Sequence, residues 1–458
     1  MNRLRIELND RRRFLFLAPL AVVLVLLAGG VNALAIHVQT VWTVSKTSSV
    51  STCVYPSATT CNTIQSAVNA ASSGDVIVVG PGKYNESVYI DTENLSLFGA
   101  QAGKDPRVER CDPSKESIVD ATGQGGGAGN GAAFYLDEEY EVIDGFTLQG
   151  GTTGNTASGI YIASEYEQIL NNIIQNNAVG IFDDREDYIL IEYNLFKTNN
   201  KPQAGSWDWD FVGSSGFGIA GGTEEGTSIT ENAFEGNLAA AIAFYEAEYA
   251  EINNNTSKDD GSFLVCSDCE YTFFDHNQGR DFGAKGFLPV PYFVNADAAI
   301  DLFYYNYVLQ INDNVLEEGK TPNYNGIAFS NLRWYTSPTG YDTADYVCEY
   351  CQVSNNTVKG FAGNGIVAEP YEAESTLYYS FISRNVVEDN GNDGILIGNA
   401  PDNEYNSLFD NKAKDNHVFD CADDTTGPLT LGTWDTWFNN IGALSHPGRL
   451  CIFNGWQD

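Results

Sequence analysis

The sequence predicts an all-β solenoid in which short parallel strands are wound into successive coils. The first observation is a repeated pattern, apolar-x-x-Asn-x-apolar, as in ISRNVV around Asn385 and ITENAF around Asn232. The second is the period, because the shortest intervals between successive repeat Asn residues are 22 or 23 residues, a spacing typical of solenoids. The third is the apolar residue three positions before each Asn, which would stack inside the coils.

The repeat Asn residues are expected to turn the chain between strands. Asn tolerates left-handed backbone better than other non-glycine residues, and stacked Asn side chains can hydrogen-bond from coil to coil. The stretch VIDGFT carries Gly145 at the position that we assign to the Asn. About ten to twelve coils are expected. The copies that carry the Asn are Asn172, Asn194, Asn232, Asn255, Asn277, Asn314, Asn356, Asn385 and Asn411.

The order of segments predicts an exported protein with a single long domain. Residues 1–35 contain an Arg-rich start, an apolar run and the small-x-small sequence ALA at 33–35, which is typical of a signal peptide. An uncleaved N-terminal membrane anchor is the alternative. No later segment is long and apolar enough to span a bilayer. We therefore expect an N-terminal segment at 36–61, the parallel β-helix at 62–440 and a closing segment at 441–458, secreted or on the cell surface.

The charge of the chain excludes some partners. Its formal net charge is −37. Residues 1–35 hold five Arg and two acidic residues, so the remainder carries 19 basic and 59 acidic residues, a net charge of −40. Such a surface repels nucleic acid and anionic lipid and attracts cations. Nucleic-acid binding is therefore not expected, and the protein has no predicted membrane contact beyond the signal segment.

Nine Cys in an exported chain predict disulfide bonds. Cys53 with Cys61, and Cys421 with Cys451, are expected to hold the two ends of the solenoid. Two C-x-x-C pairs could each form a local disulfide bridge or remain as free thiols, and Cys111 has no assigned partner. These two pairs are Cys266 with Cys269 and Cys348 with Cys351.

The stretch TCNTIQSAVNAASSGDVIVVGPGKYNESVYI at 60–90 resembles the N-terminal cap and first coil of secreted right-handed parallel β-helix proteins of the pectate-lyase-like superfamily. The stretch DGFTLQGG at 144–151 and the ending GTWDTWFNNIGALSHPGRLC are similar to that superfamily as well. The resemblance covers nearly all of the chain after residue 35. It implies a right-handed parallel β-helix with a short capping helix and loop insertions. It implies little about function, because this fold carries lyases, hydrolases, epimerases and adhesins.

The catalytic motifs of that superfamily are missing from this sequence. The polygalacturonase-like motifs Asn-Thr-Asp, Gly-His-Gly and Arg-x-Lys do not occur, and neither does the pectate-lyase motif Trp-x-Asp-His. Acidic pairs are present at Asp183–Asp184 and Asp259–Asp260. No catalytic residue can be transferred from the superfamily, so catalysis stays undecided and the sequence favours binding over catalysis.

Two columns of residues are expected on the outside of the coils. Tyr recurs six positions before the repeat Asn, including Tyr249 and Tyr271, and would form an external aromatic stripe that could contact sugar rings. Acidic residues recur seven positions before it. Stacked like charges repel, so Glu225, Glu248 and Glu270 are predicted either to be solvated or to bind Ca²⁺, the one cofactor that we consider.

Long insertions between coils supply further aromatic side chains that could bind glycan. Two of them fall at the same turn, three coils apart, and could form the walls of a groove. In lyases of the superfamily, that turn and the strand after it form the substrate cleft. Alternation places Phe182, Ala220, Ala243 and Leu264 on the groove floor, with no acid or base. The candidates from the insertions, including a third one after the strand, are Trp207, Trp209, Phe287, Tyr292 and Trp334.

Three functions are compatible with these sequence patterns. The first is a secreted protein that binds extracellular polysaccharide in a groove on the solenoid. The second is a polysaccharide lyase or glycoside hydrolase with a divergent site. The third is a structural or adhesive protein of the cell surface.

Overall fold

The computed structural model describes residues 39–110, 112–126, 128–201, 215–223, 225–283, 298–303, 305–319, 321–330, 347–369, 376–400 and 403–452. The compact unit that they belong to begins at Gln39. Its strands pair in parallel into three long sheets, A, B and C, that alternate along the chain and form a right-handed parallel β-helix, as predicted. The signal peptide or anchor at 1–35 lies outside the described residues.

The strands of sheet A, in spatial order, are Thr60–Cys61, Val41–Val44, Val76–Val79, Ser96–Phe98, Val142–Asp144, Gln168–Leu170, Leu190–Glu192, Ser228–Thr230, Glu251–Asn253, Phe273–Asp275, Gln310–Asn312, Gln352–Ser354, Phe381–Ser383, Ser407–Phe409 and Thr436–Phe438. The strands of sheet B are Gly82–Tyr84, Ser117–Asp120, Phe146–Gln149, Ile173–Gln175, Leu195–Lys197, Ala233–Glu235, Thr256–Lys258, Gln278–Phe282, Val315–Gly319, Thr357–Lys359, Val386–Glu388 and Lys412–Lys414.

The strands of sheet C are Val88–Ile90, Phe134–Leu136, Ser158–Ile162, Val179–Asp184, Phe217–Thr223, Ala240–Ala247, Ser262–Ser267, Ala298–Phe303, Asn325–Phe329, Ile366–Ala368, Ile395–Ile397, Cys421–Asp423 and Ser445–His446. A small sheet lies between sheets C and A along the chain, with strands Asn306–Tyr307, Cys348–Glu349 and Leu377–Tyr378. The helical segments are the α-helix Ile64–Val68 and the 3₁₀ turns Pro113–Lys115 and Thr430–Gly432.

The interior of the coils is a continuous apolar core. The residue three positions before each repeat Asn is buried and paired in register with its equivalents, as Ile229 is with Ile191 and Ile252. The helix Ile64–Val68 covers the first coils with its buried face. Backbone amides at its start donate to the Glu86 carboxylate, which satisfies two N–H groups that lack partners within the helix.

The repeat Asn residues do not themselves adopt the left-handed conformation, and this part of the prediction was wrong. The left-handed residue is the one before each Asn, for example Asn254 with φ 57° before Asn255. The register pairs Ile143 with Ile169, so that Gly145, with φ 81°, matches Asn171 and Phe146 takes the place of Asn172. The preceding residue makes the bend, which frees the Asn side chain to point inward.

The buried Asn side chains form a hydrogen-bonded ladder along the solenoid. Asn255 is fully buried, and its Oδ1 accepts from the backbone N–H of Asn232 at 2.9 Å and from Asn232 Nδ2 at 3.1 Å. Its own Nδ2 donates to the Ile229 carbonyl and to Asn277 Oδ1. The same contacts connect consecutive ladder residues: Asn172, Asn194, Asn232, Asn255, Asn277, Asn314, Asn356, Asn385, Asn411 and Asn440.

A second ladder, which was not predicted, lies at the turn between sheets B and C. Asn177, Asn199 and Asn237 repeat the same contacts, and Asp260 ends the run by accepting from Asn237 through Oδ1. Each member follows a first-ladder Asn by five residues, so the Asn-x₄-Asn spacing was a visible signal. Burial raises the pKa of Asp260 to about 7.

Four disulfides lie within single coils or at the ends of the solenoid. The structure contains Cys53–Cys61 and Cys421–Cys451, with Cα–Cα distances of 5.2 and 6.0 Å. The two C-x-x-C pairs form local bridges, Cys266–Cys269 and Cys348–Cys351. Cys111 lies outside the described residues. Among the helices of the described ranges, none combines the length and hydrophobicity that a membrane crossing requires.

We predict that Asn255→Ala lowers the free energy of unfolding by about 2–4 kcal/mol, because it leaves the buried Asn232 amide and Ile229 carbonyl without partners, each costing about 1–3 kcal/mol. Urea unfolding followed by circular dichroism measures the change. The matched control is Asn254→Gly, one residue earlier, where glycine accepts the left-handed backbone. The control should keep the midpoint within error, and an unchanged midpoint in Asn255→Ala would show that the ladder does not stabilise the fold.

We also predict that the unfolded, unreduced protein offers at most one reactive thiol per chain, since the four disulfides use eight of nine Cys. Thiol titration in denaturant gives the count, and peptide mapping without reduction gives the pairing. Two or more thiols, or a bridge between Cys269 and Cys348, would contradict the local pairing.

Candidate functional site

The outer face of sheet C carries a regular column of side chains, one from each strand. Its strands are in register, so one outward residue from each strand lies above the equivalent residue of the next. From the N-terminal end this outward column is Tyr89, Tyr135, Tyr161, Phe182, Ala220, Ala243, Val265, Asp301, Ala328, Val367, Leu396, Ala422 and His446.

The predicted groove floor needs two corrections. Leu264 pairs with Ile242 and packs in the interior core, so Val265 faces outward in its place. Phe263 and Leu264 both pack in the interior, as Ala241 and Ile242 do on the preceding strand, so strict alternation does not hold along this part of sheet C. The floor also carries an acid, because Asp301 pairs with Val265 and lies in the outward column, where it is fully buried.

The N-terminal end of this face is aromatic and partly exposed. The ring centroids of Tyr89 and Tyr135 are 5.3 Å apart, those of Tyr135 and Tyr161 are 4.9 Å apart, and those of Tyr161 and Phe182 are 5.2 Å apart. Tyr89 and Tyr135 are half-buried, whereas Tyr161 and Phe182 are buried. We call these four residues the aromatic row. The row runs along the solenoid axis, with one ring per coil.

Carboxylates lie at the polar tips of the aromatic row. The Tyr89 hydroxyl donates to Asp137, and this bond raises the pKa of Tyr89 to about 12. The Tyr161 hydroxyl donates to Asp184 at 2.7 Å. Burial is the main reason that the pKa of Tyr161 is raised, and burial also raises the pKa of Asp184. The row thus presents apolar ring edges beside two hydrogen-bonded carboxylates, an arrangement suited to a ligand with both apolar and hydroxyl-bearing surfaces.

A charged cluster continues from Asp184 along the rim of sheet C. Arg185 Nη2 forms an ion pair with Glu246 at 2.8 Å, and Cζ of Arg185 lies 5.9 Å from the ring centroid of Tyr245. Burial raises the pKa of the nearby Asp268 to about 6. Arg185 and Glu246 lie two coils apart, so this pair crosses the coil between them.

Apart from Asp301, the middle of the floor is apolar and buried. Ala220, Ala243 and Val265 pack together on the outer face with Phe182 and Phe303. The three long insertions include residues 202–214, before the strand Phe217–Thr223, residues 284–297, before Ala298–Phe303, and residues 331–346, after Asn325–Phe329. The candidates that they carry lie outside the described residues and stay predictions: Trp207, Trp209, Phe287, Tyr292 and Trp334.

The predicted Tyr stripe forms a stacked column, which we call the tyrosine ladder, at the turn that leads from sheet C back to sheet A. Its members are exposed or half-buried, and their rings face one another at about the spacing of the coils; Tyr249 and Tyr271, for example, stack at 5.0 Å with planes 6° apart. Its residues are Tyr140, Tyr166, Tyr188, Tyr249, Tyr271, Tyr350, Tyr379 and Tyr405.

Every residue of the tyrosine ladder has a left-handed backbone, with φ between 47° and 68°. Such a conformation costs a bulky residue on the order of 1–3 kcal/mol. Each aromatic contact contributes about 0.5–1.5 kcal/mol of stabilisation, so the two contacts of a ring that is stacked on both faces offset much of that cost. Stacking also covers the ring faces, as in Tyr379, which stacks on Tyr350 and on Tyr405. Within the continuous parts of the ladder, only edges and hydroxyls therefore face solvent.

The proposed calcium ligands Glu225, Glu248 and Glu270 lie beside the tyrosine ladder on three consecutive coils. Their backbones are in register, since Gly226 N–H donates to the Glu248 carbonyl and Tyr249 N–H to the Glu270 carbonyl. Glu225 and Glu248 are exposed and Glu270 is half-buried. The described part of the chain holds no group of three or more His, Cys, Asp or Glu side chains arranged to bind a metal ion. Calcium binding stays a prediction.

A shallow cavity of about 310 Å³ lies on sheet B, away from these residues. Lys258 and Arg280 line it together with Glu235 and Glu317. Acids and bases share this column, as in the 3.0 Å ion pair between Lys197 and Glu235, although Lys258 and Arg280 are direct neighbours. Each of these two cations has an acid beside it, Asp259 for Lys258 and Glu317 for Arg280, so the column is best explained as a structural charge ladder.

A buried carboxyl pair lies inside the first coils and was not foreseen. Glu141 and Glu167 have no exposed surface and occupy equivalent positions on neighbouring coils. Ser164 Oγ donates to Glu167 Oε1 at 3.1 Å, and three of the four carboxyl oxygens lack a well-aligned donor within the described residues. Burial is the main cause that raises the pKa of both groups, and their mutual contact adds to it for Glu167. Both carboxyl groups therefore stay protonated at pH values well above the range in which an exposed carboxyl group loses its proton.

No protein-family model and no curated protein sequence matches the chain. Among solved structures, it is similar to an alginate lyase from Paenibacillus sp. str. FPU-7, with 12% identity, TM-score 0.41, and coverage of 73% of this chain and 94% of that one. It is similar to a DFA-IIIase from Arthrobacter chlorophenolicus A6 without its lid, with 14% identity, TM-score 0.42, and coverage of 81% and 93%.

A third similar structure is a Family 28 exopolygalacturonase from Yersinia enterocolitica, with 11% identity, TM-score 0.36, and coverage of 82% of this chain and 74% of that one. Similarities at this level of identity and TM-score do not define a function, which is therefore inferred from the residues of this chain. Those residues present a face with aromatic edges, hydroxyls and carboxylates, which can bind a polar chain molecule along the solenoid axis.

We predict that stability falls as pH rises from about 5 to 8. The unfolded chain gives up the protons of Glu141 and Glu167 near their model value of 4.5, whereas the folded state retains them. Raising the pH therefore favours the unfolded state. Melting temperatures measured between pH 5 and 8 should decrease, and the double variant Glu141→Gln, Glu167→Gln should show a smaller decrease.

The matched control is Glu139→Gln, an exposed carboxyl two residues from Glu141. It should retain the pH slope of the unmodified protein. Equal slopes in the control and the double variant would show that the buried pair does not hold extra protons.

Proposed function

We propose that this protein is secreted or displayed on a cell surface, where it binds an extended extracellular polysaccharide along the outer face of sheet C. The observation that carries the proposal is the aromatic row, in which partly exposed rings recur once per coil with carboxylates at their polar tips. Four disulfides fit an oxidising compartment.

The geometry of the row suits a sugar chain. Its ring-to-ring spacing of 4.9 to 5.3 Å is close to the length of one hexose unit, so successive sugars can meet equivalent side chains. Sugar rings have apolar C–H faces and hydroxyl edges, which match aromatic carbons and carboxylate acceptors respectively. The row leads towards the strand that follows residues 202–214, so Trp207 and Trp209 are proposed to extend the same surface.

The negative charge of the protein favours some classes of polysaccharide as ligands over others. The chain without residues 1–35 has a net charge of −40, and Asp137 and Asp184 add local negative charge at the row. A polyuronate would be repelled unless cations bridged it, so neutral or cationic glycans are the proposed ligands.

Cleavage of the bound glycan is the second candidate function. Asp184 favours it, because a carboxyl with a raised pKa beside a sugar can act as a general acid. A reducing-sugar assay on the same glycans separates the two functions, since new reducing ends would establish a hydrolase or lyase.

We predict that Tyr135→Leu weakens glycan binding about 3–10-fold, because it removes one ring and its hydroxyl while keeping apolar volume at the strand. Isothermal titration with neutral and cationic oligosaccharides gives the affinity. The double variant Trp207→Ala, Trp209→Ala should weaken binding as well, with little change in melting temperature.

The matched control is Phe381→Leu, an exposed aromatic on the outer face of sheet A. It should leave affinity unchanged. Equal affinities for Tyr135→Leu and the unmodified protein, or no binding of any glycan at any salt concentration, would overturn the proposal and favour a structural or adhesive role.

A further inference from the structure

The tyrosine ladder is interrupted at Gly226. Ten successive coils, from Tyr140 to Tyr405, contribute a residue to the ladder position, and eight of them contribute Tyr. Val308 is one exception, but the neighbouring Tyr307 places its ring in that gap, 5.6 Å from Tyr271 and 5.8 Å from Tyr350. The other exception, Gly226, has no ring in its place among the described residues.

The gap at Gly226 has an aromatic wall on each side. Tyr188 stacks on Tyr166 with one face, and Tyr249 stacks on Tyr271 with one face. Their other faces are directed towards the coil of Gly226, and these two rings make no ring contact with each other in the described structure. Tyr188 and Tyr249 lie two coils apart, about 10 Å at the spacing of parallel strands, which leaves room for one ring at the spacing of the ladder.

Glycine allows the Tyr188 ring to lie directly against the backbone of this coil. A Cβ atom at Gly226 would lie 2.8 Å from Cδ1 of Tyr188, so even the smallest side chain would collide with the wall. Gly226 has φ 76°, the left-handed conformation of the whole ladder, and its amide donates to the Glu248 carbonyl, which fixes the floor of the gap. The left-handed backbone and its hydrogen bonding therefore continue through this coil, whereas the column of aromatic rings is interrupted there.

The rim of the gap is acidic. Asp187, Glu225 and Glu248 occupy the column next to the ladder on the same three coils as Tyr188, Gly226 and Tyr249. Asp187 Oδ1 accepts from the backbone N–H of Glu225 at 2.6 Å, which holds one carboxylate at the edge of the gap. Aromatic faces attract cations, and so do the carboxylates, so both components of the gap favour a positively charged ring.

We propose that the gap between Tyr188 and Tyr249 binds one ring of a cationic amino sugar. The two tyrosine faces contact the faces of the sugar ring, and the carboxylates of the rim receive its ammonium group. This inference rests on the glycan-binding function proposed above and narrows its ligand to polysaccharides with free amino groups. The gap lies where the strand Ala240–Ala247 leaves sheet C, so a chain crossing from the outer face of that sheet can reach it.

Titration with a glucosamine hexamer tests the proposal, with its N-acetylated hexamer and an oligogalacturonate as comparison ligands. The glucosamine hexamer should bind more tightly than either, and its affinity should fall with salt. Tyr249→Ala removes one wall, and Gly226→Asn, a residue that accepts left-handed backbone, places a side chain in the gap and displaces the Tyr188 ring. Each should weaken binding of the glucosamine hexamer about fivefold or more, the loss expected for a partly desolvated cation–aromatic contact.

The matched control is Tyr379→Ala. Tyr379 belongs to the same ladder, but Tyr350 and Tyr405 stack on its two faces, so its removal should change the affinity less than about twofold. Equal losses in Tyr379→Ala and Tyr249→Ala would overturn the assignment to the gap. An unchanged affinity in both Tyr249→Ala and Gly226→Asn would overturn it too.

Three outcomes separate this inference from the function on which it rests. Binding of the neutral hexamer that depends on Tyr135 but not on Gly226 would refute the gap and retain glycan binding. Absence of binding by all three oligosaccharides would refute both. An arginine-rich peptide that binds in a Tyr249-dependent manner, when the glucosamine hexamer does not, would refute the sugar assignment and identify a basic protein as the partner.

Discussion

The ladder of buried Asn side chains is the constraint on which the rest of this structure depends. Each Asn accepts two hydrogen bonds from the preceding Asn of the ladder and donates to a carbonyl of that coil, so neighbouring coils cannot slip by one residue without losing buried hydrogen bonds. Register is thereby repeated over ten coils, from Asn172 to Asn440. The other columns of side chains, in the interior and on the surface, therefore also repeat once per coil.

The outer surfaces follow from this register. A Tyr six residues before the ladder Asn returns at the same place on each coil, which is why Tyr249 and Tyr271 stack although their backbones are strained. The aromatic row of sheet C arises in the same way. Because identical side chains recur at the strand spacing, this solenoid presents long chemical stripes, and such stripes suit ligands that are themselves repetitive, such as polysaccharides. A single departure from the repeat, as at Gly226, interrupts such a stripe.

The elements that repeat were predictable from the sequence, and those that depend on local irregularity were not. The interior positions of Ile169, Ile229 and Ile382 followed from their phase relative to Asn, and the parallel β-helix followed from them. Leu264 was misplaced because two successive residues of its strand, Phe263 and Leu264, face the interior, which strict alternation does not foresee. The left-handed bend was assigned to the Asn and not to the residue before it, since both interpretations agree with the same spacing.

The site was only partly predictable, since Tyr249 and Tyr271 were visible in the pattern, whereas the stacking of their rings on each other became evident only from the structure. The central claim is that a glycan lies along the outer face of sheet C, and a crystal structure with a bound oligosaccharide tests it most directly. We expect sugar density along Tyr89 and Tyr135, beside Asp137 and Asp184. Density confined to sheet A or sheet B, or none at saturating ligand, would contradict that claim.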